Sequence, residues 1–171
     1  ADSGTFDYFT EAVVGKAKAS RGDFTASEDD NVLVTGVSSD ANALGFFGFA
    51  YYRENKDKLR SVPVKATPDS AGVQPSVETV LDGTYTPLSR PVFIYVNAKA
   101  AAERPEVRAF VEYYLKESAD LITEVGYVPL PERAYQLAAE RVANNVTGTV
   151  FEGHSEVGVS VEALLQRETR Q

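Results

Sequence analysis

Between Pro105 and Gly126 the apolar residues Val107, Phe110, Val111, Tyr114, Leu115, Leu121, Ile122 and Val125 fall on one helical stripe, with Glu, Arg and Lys between them. A helix with one apolar face cannot stand alone and must lie against a second layer. Arg104-Pro105 opens this helix, because proline is tolerated where the backbone N–H has no helical partner, and Gly126 ends it. The chain must therefore build a core around it, and 171 residues with 43% hydrophobic content suffice for a sizeable one.

The amino end carries a second helix start. Asp2-Ser3-Gly4-Thr5 runs into Phe6, Phe9, Val13 and Val14, so a helix from about Thr5 to Val14 is expected, closed by Gly15. A glycine between two hydroxyl residues at such a start offers free backbone N–H groups, two hydroxyls and the positive end of the helix dipole at one point. That set suits a tetrahedral oxyanion. Ser and Thr at helix starts are also ordinary N-caps, and the tetrapeptide alone leaves both readings open.

Farther along, Ser27 with Asp30 resembles a capping box for a helix through Leu33 and Val37, with Asp29 and Asp30 in its first turn. Gly45 to Tyr52 reads as a buried strand whose glycines allow close backbone approach. Glu54 to Arg60 reads as a short charged helix, Ser61 to Ala66 as an edge strand, and Ser76 to Leu81 as a helix stopped at Asp82-Gly83. Arg90 to Val96, rich in β-branched and aromatic residues, is expected to be a strand. Glu132 to Ala143 and Ser160 to Arg167 complete the helices, with a further strand around Val150-Phe151.

Charge and motifs exclude several classes. A net charge of −8 leaves no basic stripe for nucleic acid or an anionic membrane, so neither is an expected partner. An anion would have to be held by local dipoles and directed hydrogen bonds. The chain has no Cys, hence no disulfide framework. No apolar run approaches the ~20 residues that cross a bilayer, so direct membrane insertion is not expected. His154 stands alone, and with no Cys beside it no metal site is expected. Ser3 and Ser155 lack a Gly-x-Ser-x-Gly elbow, and no catalytic residue is assigned.

Four segments in fixed order carry a resemblance: Ser3 to Thr10, Ser27 to Asn31, Ala43 to Tyr52 and Asp82 to Pro91. Together they resemble the second half of the periplasmic phosphate-binding proteins of bacterial phosphate ABC transporters, over roughly residues 1 to 143. The resemblance implies an α/β fold: a periplasmic-binding-protein-like lobe with helices on both faces of a mixed sheet, plus the C-terminal part of a second, incomplete lobe. Residues 1–86 would form the second lobe, and residues 87–171 a crossover strand and helices completing the first lobe, whose N-terminal part is absent.

In that family two lobes close on one dehydrated phosphate, without catalysis. The resemblance implies phosphate binding by the Ser3 hydroxyl, the Gly4 N–H and the Thr5 hydroxyl and N–H, with Asp2 in the shell behind them. The family's arginine would fall before Ala1, and the other lobe's ligands are absent, so weak phosphate binding by this chain is expected. The implied partners are inorganic phosphate, an ABC transporter permease, and a missing N-terminal segment or companion chain. The implied location is periplasmic or extracytoplasmic, and no cofactor is implied. The alternative is a phosphate-ester hydrolase, or a degenerate structural domain reusing the anion-binding notch. An enzyme needs a base or metal near Ser3, where Asp7 is the nearest candidate.

Overall fold

A computed structural model of the chain describes residues 3–151 and 156–168. Eight helices are found among them: α1 Gly4–Val14, α2 Asp30–Ser39, α3 Phe49–Glu54, α4 Val77–Leu81, α5 Ala98–Glu103, α6 Pro105–Glu124, α7 Glu132–Ala143 and α8 Val161–Glu168. The chain divides into two compact units, Ala1–Ser89 and Arg90–Gln171, called here unit 1 and unit 2.

In unit 1 the caps are local and sequence-encoded. Ser3 accepts from the Phe6 amide to open α1, and Gly15 closes it at φ 80°, a left-handed conformation that glycine adopts without a Cβ clash. Asp29, rather than Ser27, caps α2 by accepting from the Asn31 amide, while the Ser27 hydroxyl accepts from the Asp29 amide. A reciprocal box of Ser76 and Thr79 opens α4. The interior is built from Val34 of α2, Ala50 of α3 and the buried Thr10 of α1. Beside them Phe9 stacks on Phe46 with ring centroids 3.9 Å apart, and Phe6 stacks on both Phe24 and Phe46.

The expected strands are where the structure departs from the sequence. Gly45 to Tyr52 is not a strand: Gly48 begins α3, and the aromatic residues beyond it are helical. Aromatic content favours a strand only where a neighbouring strand and a half-buried surface exist, whereas a helix satisfies its own backbone. Gly45 does permit close approach, since a Cβ there would stand 2.6 Å from a Val37 methyl; at Gly48 the nearest atom would be 3.6 Å away.

The charged helix expected over Glu54 to Arg60 stops at its beginning, because the Asn55 side chain donates to the Tyr51 carbonyl and ends α3 there. Ser61 to Ala66 contributes one isolated antiparallel bridge, Val64 with Val73. The region around Val150-Phe151 is a turn.

Unit 2 stacks its helices in chain order, α5 against α6, α6 against α7 and α7 against α8. Its buried apolar side chains are Val111 of α6, Leu137 of α7, Leu164 of α8 and Val150 in the turn before α8, while α5 buries none. The helix α5, opened by the Asn97 side chain on the Ala100 amide, was not anticipated. The apolar stripe of α6 is also wider than the face it buries. Val111 and Ser118, seven residues apart and so on one face, are its buried positions, while Phe110 and Val125 stay exposed.

Arg90 to Val96 forms no strand among the described residues. Val92 and Tyr95 are 74% and 82% exposed, and Phe93 and Ile94 are exposed as well. A strand requires a neighbour for its N–H and C=O groups, and none pairs with this segment among the described residues. The mixed sheet is accordingly not observed among the described residues.

Candidate anion-binding site

The start of α1 assembles what its sequence suggested. Ser3 is extended, at φ −124° and ψ 113°, and its hydroxyl oxygen accepts from the Phe6 amide at 3.2 Å. Accepting uses a lone pair and leaves the Ser3 O–H free to donate. The first helical N–H groups have no carbonyl one turn back, and those of Gly4 and Thr5 make no hydrogen bond to any described residue. Gly4 is exposed and Thr5 half-buried. Toward the described residues, two amides and two hydroxyls are thus open at the positive end of an 11-residue helix. Asp2, Ser155 and His154 lie outside the described residues.

Three side chains that the sequence reading did not single out hold this start in place. Thr10, 4% exposed, donates to the Phe6 and Asp7 carbonyls and accepts from the Lys18 amide at 2.8 Å. Tyr8 donates to the Pro87 carbonyl at 2.7 Å and the Ser89 carbonyl at 3.3 Å. Lys18 stands 3.6 Å from the Asp7 carboxylate. The signal for Thr10 was available: a lone hydroxyl on a face otherwise made by Phe6, Phe9 and Val13.

Asp7 is the only carboxylate in the first turn of α1. One of its oxygens pairs with Lys18, the other is buried with no hydrogen-bond partner, and neither bonds the Ser3 hydroxyl. Among the described residues the geometry therefore offers donors to an anion and no base bonded to Ser3.

Elsewhere, Asp29 and Asp30 act as cap and first-turn acid of α2. Burial pushes the Asp30 carboxyl above its ordinary range, the Gly48 amide pulls it back, and Asp29 adds a further upward push. No helix among the described residues is long and apolar enough to cross a membrane.

Comparison with known proteins follows the same line. A family model described as the PBP superfamily domain matches residues 1–118. The protein SphX of Synechococcus elongatus is 56% identical over 167 residues, covering 98% of this chain and 49% of the relative. The phosphate-binding protein PstS of Staphylococcus saprophyticus is 37% identical over 136 residues, covering 77% of this chain and 40% of the relative. A crystal structure of a possible phosphate-binding protein from Planctomyces limnophilus superposes with a TM-score of 0.67 at 42% identity, covering 86% of this chain and 52% of that one. The chain spans about half the length of the curated relatives it matches. It belongs to the PBP superfamily, the periplasmic-binding-protein superfamily.

Proposed function

We propose that this chain supplies one side of the grip on inorganic phosphate in a solute-binding protein, and that the whole protein hands phosphate to an ABC transporter permease outside the cytoplasm. The observation that carries this is the open donor set at the start of α1: the Gly4 and Thr5 amides with the Ser3 and Thr5 hydroxyls. The phosphate-binding names of the staphylococcal relative and the planctomycete structure point the same way. Asp2 stands directly before Ser3 and is assigned the shell behind the donors.

The hydrolase reading is weaker because Asp7, the carboxylate in the first turn of α1, is turned to Lys18, and no base is bonded to Ser3 among the described residues.

The remaining donors are assigned to the half of the relatives that this chain does not span. The same polypeptide, in cis or as a companion, is assigned the strands beside Arg90 to Val96. The sheet of the α/β fold would then be completed from outside these residues, with residues 1–86 as one lobe and 87–171 as part of the other. The consecutive exposed side chains of Val92, Phe93, Ile94 and Tyr95 support this assignment, since such a segment is a template for pairing.

Each charge-assisted hydrogen bond missing from half a cage costs about 1.5–3 kcal/mol, or one to two decades of affinity. The chain alone should therefore give no micromolar isotherm with inorganic phosphate in titration calorimetry. The Gly4 and Thr5 amide resonances should still shift under millimolar phosphate. A micromolar isotherm would overturn the half-cage reading, and silent Gly4 and Thr5 amides would overturn the grip.

A further inference from the structure

We propose that Tyr8 is a positioning residue that ties the anion grip to residues 87–89, so that occupancy of the grip is felt where the chain leaves unit 1. This rests on the phosphate reading of Ser3, Gly4 and Thr5.

Tyr8 stands four residues after Gly4, hence on the same side of α1 and one turn further in. Its hydroxyl reaches across 79 residues of sequence to the Pro87 carbonyl, at 2.7 Å, and across 81 to the Ser89 carbonyl, at 3.3 Å. A phenol carries one proton, so Pro87 takes the stronger bond and Ser89 shares it.

The two acceptors belong to a segment in neither helix nor strand. That segment is folded on itself: the Tyr85 amide donates to the Thr79 carbonyl at 2.8 Å, and the Ser89 hydroxyl to the Tyr85 carbonyl at 2.5 Å. It is also the end of unit 1, whose boundary falls after Ser89.

The rigidity of the connection makes it a coupling element. From Gly4 to Tyr8 the backbone is one turn of helix, held at its start by the Asp7 amide on the Ser3 carbonyl at 3.0 Å. The Thr10 hydroxyl and the stacked Phe6 and Phe9 rings fasten the same turns from two further directions. A tyrosine ring has two side-chain torsions, so a displacement of the helix start reaches the hydroxyl with little slack. Phenylalanine in place of Tyr8 would keep the ring and its packing; the hydroxyl is what reaches residues 87–89.

The test is NMR on the full 171-residue chain and its Tyr8→Phe variant. Without phosphate, the Pro87 and Ser89 carbonyl resonances should move in the variant. The Tyr85 amide, which donates to the Thr79 carbonyl in the same folded segment, should exchange about tenfold faster, as the loss of one net hydrogen bond predicts, with α2 and α3 unchanged. Unmoved carbonyls would overturn the tie. Under millimolar inorganic phosphate, Gly4, Thr5, Pro87 and Ser89 should all respond in the parent chain. In the variant Gly4 and Thr5 should still respond while Pro87 and Ser89 do not. A retained response at residues 87–89 would overturn the coupling. Silence at Gly4 and Thr5 in both chains would overturn the phosphate reading and the coupling together, leaving the tie to be judged by the phosphate-free arm.

Discussion

Unit 1 and unit 2 are similar in length but dispose of their apolar side chains differently. Unit 1 turns its aromatic residues onto one another, Phe24 to Phe6 to Phe46 to Phe9, and closes its two ends with the Tyr8 hydroxyl. Unit 2 buries few apolar side chains and leaves Phe110, Tyr113 and Leu121 of α6 and its C-cap Val125 exposed, together with the run from Val92 to Tyr95. The difference separates two kinds of stabilisation. A capped helix satisfies its own backbone, so it forms wherever one face can be covered. A strand depends on what lies beside it, so its formation is decided elsewhere.

The largest effect should come from the thin interior of unit 2. Leu137 is 6% exposed and its helix packs on both α6 and α8. Leu137→Ala should cost about 2–5 kcal/mol and raise amide exchange throughout α6, α7 and α8. Protection in α2 and α3 should be unchanged. If those amides open as well, the two units melt as one block and the comparison fails. In unit 1 the corresponding weak point is polar. Thr10→Val keeps the shape but strands the Lys18 amide, at a cost of about 1–3 kcal/mol, visible as a lower denaturant midpoint with faster exchange in α1.

These two residues also show what was legible in the sequence. The helices at Gly4–Val14, Asp30–Ser39, Pro105–Glu124 and Glu132–Ala143 were readable because period and caps are local: Ser3, Gly15, Pro105 and Gly126 mark their ends. Residues 45–52 were misread because glycine-punctuated aromatic residues suit either a strand or a short helix, and only tertiary context decides. The open donors at the start of α1 could be anticipated from Ser3-Gly4-Thr5. The supports behind them could not, since the Tyr8 bond to Pro87 spans a separation that local pattern does not report.

A third change separates exposure from stability. Val92→Lys with Tyr95→Lys alters side chains that are 74% and 82% exposed, so folding stability should move by no more than about 0.5 kcal/mol. Self-association in sedimentation velocity should nevertheless fall. Leu44→Lys in unit 1, at 82% exposure, should leave association as it was, because Leu44 is not part of a run of exposed apolar neighbours. Equal responses at the two places would mean that the exposed face of unit 2 has no special tendency to pair.

The smallest effect contrasts one carboxyl from each unit, displaced in opposite directions. Asp30 in unit 1 is held above its ordinary value by burial, so the folded state binds its proton more tightly than the unfolded chain does. Stability from this group is present below the unfolded value of about 4 and is lost as pH rises through the raised folded value. Glu106 in unit 2 is held below its ordinary value by the hydrogen bond from its own backbone amide and then by Arg104. Its contribution is present above the unfolded value and is lost as pH falls through the lowered one. Relative to the parent chain, Asp30→Asn should therefore gain as pH rises from about 4 towards neutrality, while Glu106→Gln should lose. The Asp30 difference should stay below about 0.5 kcal/mol, because solvent screens a half-exposed carboxylate. Urea midpoints measured from about pH 3 to about pH 7, across the carboxylate range, read both signs at once. Parallel curves for the two variants would show that burial against α3 and pairing at the start of α6 do not distinguish these carboxylates.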